Sequence, residues 1–241
     1  MKKVLATVGI GNATVDTVLP SETVRPGETV DAEIQVDGGS APQEVRHIDL
    51  EFETYYRTDD GRMEGTVDTV RLSDGFTVEP DESRTIPTEI EIPRGTPLTM
   101  GGVDVWLETE LDVAGVDPED KDYLDVQPTE RMQAVFDAAE SLGLSLRTAR
   151  NEEVAGWGHN RFSQEFEFRP SGGPFAGDLD ELELVFDPAP ERLTVAVEVD
   201  RQGGLLSEMT DTDERKESLT VETADAAAVE RDLREILERH V

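Results

Sequence analysis

The residues of this 241-residue chain that could do chemistry are three histidines, a glycine pair and two acidic runs. His47, His159 and His240 do not fall at HExxH or any other metal-ligand spacing, and the chain has no cysteine. A zinc site would therefore need carboxylates gathered from scattered strands. His47 is expected on a strand surface and His240 at a fraying helix end. Gly9-Ile10-Gly11 begins like a dinucleotide fingerprint. It lacks the third glycine and neither follows a strand nor opens a long helix, so it reads as a backbone bend.

The loop from Asp117 to Asp125 gathers the oxygens a hard cation wants. It lacks the EF-hand spacing and its central glycine, and in a chain with 55 acidic residues such runs also arise as solvated surface. Asp211-Thr212-Asp213-Glu214 has the same character. Paired carboxylates for glycoside hydrolysis are defined by their separation in space, which a sequence does not state. No nucleophile with a base partner stands out. The expectation is a protein that is not an enzyme and carries no cofactor or metal, with a carboxylate-based hydrolase or a divalent-cation-binding module on a β-sandwich as the alternatives.

The elements that must position these residues follow from periodicity. Gly102–Pro128 (GVDVWLETELDVAGVDPEDKDYLDVQP) reads as a strand, an acidic loop, a short apolar run and a stop before a helix. Val105, Leu107, Thr109 and Leu111 share one face of the strand, and Trp106, Glu108, Glu110 and Asp112 share the other. Trp106 thus projects on an acidic side, where it is expected to pack under a loop or another domain or to anchor a partner. Trp157 falls in a glycine-flanked loop.

Before this stretch, alternation predicts strands at 12–19, 30–36, 45–57, 63–72, 76–78 and 85–92, with turns at Arg25-Pro26-Gly27-Glu28 and Ser73-Asp74-Gly75. Asp60-Gly61 marks a hairpin. Residues 1–8 could form a helical turn. After it, Met132, Val135, Phe136, Ala139 and Leu142 have helical spacing, with Thr129 as N-cap and Gly143 as the stop. Strands resume at 144–149, 162–168, 179–187, 192–200 and 219–221. A terminal amphipathic helix at about 224–240 carries Val229, Leu233, Ile236 and Leu237 on its apolar stripe. The predicted class is mainly β, with two tandem immunoglobulin-like or arrestin-like β-sandwich domains at 1–127 and 128–241 and a few short flanking helices, at about 129–142 and 224–240.

Charge narrows the partners. The 55 acidic residues against 22 basic ones give a formal net charge of −33, and four of the basic residues are lysine (Lys2, Lys3, Lys121, Lys216). The acids are interleaved with apolar residues, which argues for a folded acidic surface rather than disorder. Such a surface repels itself in dilute buffer, whereas at roughly 1 M salt the screening length falls to about 3 Å. Adaptation to a salt-rich cytoplasm is expected. No basic patch offers itself to nucleic acid or anionic lipid. No segment approaches the ~20 apolar residues of a membrane span, so a soluble, cytoplasmic chain without a membrane span is expected.

The blocks VGIGNATVDTVL (8–19), PGETVDAEIQVDGG (26–39), VWLETELDV and DPEDKDYLDV (105–126), FSQEFEFRP (162–170), DELELVF (180–186) and VEVDRQGGLLSEM (197–209) occur in this order. Together they resemble the sporulation-control family of arrestin-like proteins, as a haloarchaeal-type member. The resemblance implies two β-sandwich lobes and a non-enzymatic regulatory or scaffolding adaptor that holds protein partners. It also implies a charged cluster between the lobes, for which Asp112, Asp120, Asp122, Asp200 and Arg201 are the candidates, with Trp106 as an interaction residue. Exposed strand edges would permit a homodimer by edge pairing.

Overall fold

A computed structural model describes residues 12–72, 75–154, 161–201 and 216–240. The expected turn at residues 1–8, Trp157, His159 and the Asp211–Glu214 cluster lie outside them. The fold is mainly β, with fifteen strands and two helices among the described residues. The chain divides into two compact units, residues 1–55, 62–99 and 104–127 forming the first and 56–61, 100–103 and 128–241 the second.

The first unit begins with β1 (Thr14–Val18), β2 (Thr23–Val24), β3 (Thr29–Asp37), β4 (Gln43–Val45) and β5 (Ile48–Thr58). It continues with β6 (Gly61–Leu72), β7 (Phe76–Val78), β8 (Ser83–Glu91), β9 (Val105–Leu111) and β10 (Glu119–Val126). Strands β1, β3 and β8 form one antiparallel sheet, and β4 pairs with β7. Strand β5 pairs with β6 and β9, β9 with β10, and β2 runs parallel beside β10. Period-two alternation buries Ala32, Ile34 and Val36 of β3, Ile48, Leu50 and Phe52 of β5, and Leu107 and Leu111 of β9. Each fully buried Val, Leu, Ile or Phe contributes about 1.5–3 kcal/mol of transfer free energy.

The hydroxyls of Thr17 (β1) and Thr109 (β9) share a hydrogen bond of 2.7 Å, which ties the two sheets through their buried faces. The Asp60-Gly61 signal gives the β5–β6 hairpin, with Gly61 at φ +128°, a conformation a side chain would disfavour. Pro87 lacks a ladder donor and sits in β8, an outer strand of its sheet.

The acidic segment from Asp117 to Asp125 is not the loop its charges suggest. From Glu119 onward it is β10, and the turn from β9 spans only residues 112–118. The reason is a distant partner: the Thr17 amide donates to Asp120 Oδ2 at 2.9 Å, which satisfies a carboxylate only 8% exposed. Leu124 and Val126 complete the buried side of the strand.

The second unit contains α1 (Glu130–Ser141), β11 (Leu144–Glu153), β12 (Phe162–Pro170), β13 (Leu179–Pro188), β14 (Leu193–Arg201), β15 (Lys216–Val221) and α2 (Ala226–His240). Its strands follow one another as an antiparallel meander from β11 to β15. Thr129 Oγ1 accepts from the Met132 amide at 3.4 Å, and Gly143, at φ +81°, follows the C-cap Leu142, as the spacing predicts. Asp225 Oδ1 accepts from the Ala227 and Ala228 amides to start α2. Phe136 of α1 lies within ring contact of Phe166, Phe168 and Phe186, and Val229, Leu233, Ile236 and Leu237 of α2 are buried as expected. Among the described residues no helix is long and apolar enough to cross a membrane.

Candidate interaction face

Because Ile48, Leu50 and Phe52 point into the core, strand geometry turns Asp49, Glu51, Glu53 and Tyr55 of β5 to the opposite face. The same alternation presents Trp106, Glu108 and Glu110 from β9, and Glu119, Lys121 and Tyr123 from β10. The register sets carboxylates directly across from one another: Asp49 opposite Glu110, Glu51 opposite Glu108, and Glu110 opposite Glu119. Like charges in directly opposed positions destabilise a sheet unless something neutralises them.

Neutralisation is uneven along this ladder. At one end His47 is held between Asp49 (Nε2 to Oδ2, 3.2 Å) and Asp112 (Nδ1 to Oδ2, 3.1 Å). Arg71 donates two parallel hydrogen bonds to Asp49, of 2.8 and 3.0 Å, and Arg46 pairs with Asp112. The Arg71 bond is the main influence holding the Asp49 carboxyl below its ordinary range. In the middle the opposite holds. Glu51 and Glu53 receive hydroxyl hydrogen bonds from Thr69 and Thr66, and no described residue forms an ion pair with either or with Glu110. Burial, then the charge of Glu108, raises both Glu51 and Glu53. Glu110 is pushed up to about 7 by burial, followed by the charges of Asp117, Glu119 and Glu51.

The third part of the face is aromatic. Trp106 is fully buried despite lying on the acidic side. Tyr55 and Tyr123 flank it at ring separations of 4.8 and 6.1 Å, and its Nε1–H donates to Glu108 Oε2 at 3.2 Å. Lys121 Nζ stands 4.2 Å from the Trp106 ring centroid and 3.3 Å from Glu108. Arg62 lies 3.9 Å from the Tyr55 centroid and 2.9 Å from Asp104. Each cation is held by one ring and one carboxylate.

Of the six sequence candidates, Trp106 and Asp112 belong to this face, at its two ends. Asp120 lies on the buried side of β10 and closes the Thr17 amide. Asp122 follows it on that side, opposite Leu107. Asp200 and Arg201 close β14 in the second unit, where the register sets them against Glu181 and Leu179. His47 is no isolated surface residue, since two aspartates clasp it. His240 likewise is held by Glu217 at 2.7 Å. Among the described residues no group of three or more histidines or carboxylates could hold a metal ion. Sequence reading missed Tyr55, Tyr123, Lys121 and Arg62, because each gains its role from a neighbouring strand. The outward half of the ETE alternation in β9 was the available signal.

A second carboxylate face lies in the other unit. Glu167, only 7% exposed, is reached by Arg150 at 3.4 Å and by Arg169 at 3.0 Å, and Arg169 also holds Glu181 at 2.9 Å. Burial works to raise the Glu167 carboxyl, but hydrogen bonds from Glu181 and Thr148 and the two guanidinium charges bring it below its ordinary value.

Comparison with known proteins supplies what the geometry does not name. The family model described as SpoOM protein matches residues 1–203. The sporulation-control protein Spo0M of Bacillus subtilis (strain 168) is 35% identical over 252 residues, covering 99% of this chain and 98% of the relative. The crystal structure of Spo0M from Bacillus subtilis superposes with a TM-score of 0.86 at 34% identity, covering 96% of this chain and all of that one.

Proposed function

The chain belongs to the SpoOM protein family, and on that premise we propose that it is a non-enzymatic, arrestin-like regulatory adaptor that holds protein partners in a salt-rich cytoplasm. The observation that carries this reading is the full-length likeness, in sequence and in fold, to a sporulation-control protein. The two compact units would act as two arrestin-like lobes, divided near residue 127. The net charge of −33 supports salt adaptation, since self-repulsion at this density is relieved only by strong screening. A regulatory role in this chain's own cell need not involve spores.

The test is crosslinking in molar KCl lysate followed by mass spectrometry. A small, reproducible set of crosslinks to the same few proteins is expected, and a chain crosslinked only to itself would overturn the adaptor reading. Salt adaptation is checked separately by thermal melting. The midpoint should fall steeply as KCl is withdrawn, and a midpoint independent of KCl would remove that part of the proposal.

A further inference from the structure

Building on the adaptor reading, we propose that the outward face of β5, β9 and β10 docks an extended segment of a partner protein carrying Lys or Arg at alternate positions, with its cations set against Glu51 and Glu53 beside the Lys121-capped Trp106 ring.

Three observations converge on a cationic peptide. The face already holds one ammonium and one guanidinium, each between an aromatic ring and a carboxylate: Lys121 on Trp106 with Glu108, and Arg62 on Tyr55 with Asp104. These two seats show which chemistry the rings accept. Glu51 and Glu53, between the seats and the neutralised Asp49, and Glu110, across from Asp49, receive no ion pair from a described residue. Their crowding is relieved most directly by cations supplied from outside. The spacing also fits. Side chains on one face of a strand repeat every two residues, roughly 6.6–6.8 Å, which is the repeat of alternate side chains in an extended peptide. The Glu51–Glu53 pair therefore matches cations at positions i and i+2, Asp49 being already held by Arg71.

Other occupants fit less well. Among the described residues no three carboxylates converge as a divalent cation requires. Nucleic acid and anionic lipid would be repelled by the same ladder. Tyr123, 43% exposed at the edge of the aromatic group, gives an apolar contact that a bare ion could not use.

The full chain carrying Trp157→Phe has Trp106 as its one tryptophan, so its fluorescence reports on the seat directly. The probes are an alternating Lys–Thr dodecapeptide and a Gln–Thr peptide of the same length, each titrated in the lowest KCl at which the chain stays folded and again in molar KCl. A saturable change with the Lys–Thr peptide alone is expected, weakening as salt rises. The pair Glu51→Gln and Glu53→Gln should lower the affinity by about tenfold, which is the loss of roughly one charge-assisted contact. Glu130→Gln with Glu140→Gln, equal in charge on exposed helix positions, should change it little.

Lys121→Met removes the cation on this face and frees Glu108, so it should tighten binding more than Arg25→Met, an equal change of charge on an exposed turn. Circular dichroism checks that each variant keeps its fold. The proposal falls if the Lys–Thr peptide gives no saturable change, if the two glutamine pairs behave alike, or if Lys121→Met does no more than Arg25→Met. It also falls if magnesium chloride alone reproduces the signal, which would favour a cation site. Partner crosslinks that persist while the peptide fails would leave the adaptor reading standing and remove only this face.

Discussion

The two carboxylate-bearing sheet faces of this chain solve one electrostatic problem in opposite ways. In the second unit, arginines at Arg150 and Arg169 reach the buried Glu167, and its carboxyl lies below the ordinary value. In the first unit, arginines reach the two ends, at Asp49 and Asp112 and at Asp104, and Glu110, which none of them pairs with, rises to about 7. The number of acids is therefore not what decides. Glu183, on the second face opposite Glu198, also rises to about 7, through burial and then the charges of Glu165 and Glu198, although Arg150 works against it. A guanidinium within reach does not decide alone either: Arg169 holds Glu181 at 2.9 Å, yet burial and then the hydrogen bond with Glu167 raise that carboxyl, so the balance of burial, neighbouring charge and guanidinium contact sets each direction. The end of the first face away from Asp112 is held by aromatic packing instead, with Trp106 between Tyr55 and Tyr123.

Removing the residue that holds each face together is the strongest way to break the comparison. Trp106→Ala takes out a fully buried indole and opens a cavity between Tyr55 and Tyr123, so it should destabilise the first unit by about 3–5 kcal/mol. Denaturant melts read by near-ultraviolet circular dichroism measure this. A loss below about 1 kcal/mol would mean that the aromatic group is not what holds the face.

Arg169→Met is the counterpart in the second unit and should have a smaller effect. It leaves Glu167 buried with Arg150 alone and strips Glu181 of the arginine whose Nε and Nη2 both donate to its Oε2. Arg169 is itself largely exposed and Arg150 remains, so solvent screening keeps the loss well below that of Trp106→Ala. The paired change Arg169→Met with Glu167→Gln should recover part of it, because the uncompensated charge is gone. If the double variant is no better than the single one, packing of the Arg169 stem outweighs its charge.

The ease of reading these regions from sequence differs for the same physical reason. Elements built on local signals were legible: the Asp60-Gly61 hairpin, the Thr129 cap, the Gly143 stop and the apolar stripe of α2 all rest on residues within a few positions of one another. Strand β10 was not. Its run of Asp and Glu reads as a solvated loop, and the fact that reverses this reading is the Thr17 amide, 103 residues away in sequence, donating to Asp120. Trp106 was legible as packed rather than solvated, but its partners were not, since Tyr55 and Lys121 reach it from neighbouring strands rather than from a loop or another domain. The order of blocks along the chain pointed to the family. The distribution of arginines between the two faces depends on strand register, which periodicity does not report.

Titration gives the finest test, and its sign differs across the molecule. Glu110 has a folded-state value of about 7 against 4.5 for the unperturbed group, so between these values the folded chain binds more protons than the unfolded one. Its deprotonation therefore opposes folding, and stability should fall as pH rises from about 5 to about 8. Glu110→Gln, which cannot ionise, should flatten that limb and raise the melting midpoint at pH 8 while changing little at pH 5. Glu183→Gln should do the same for the second unit.

Glu217 runs the other way. Hydrogen bonds from Arg239, then from His240, draw it down to about 2, so its stabilising contribution is present above its unfolded value and is lost as pH falls from about 4.5 towards 2. Arg239→Met should move the acid unfolding limb to higher pH and leave the alkaline side unchanged. This effect should be the smallest of the set, because the pair is partly exposed and solvent screens it. Equal flattening of both limbs by Glu110→Gln would show that the pH response belongs to the net charge of the whole chain, and the contrast between the two faces would then carry no separate weight.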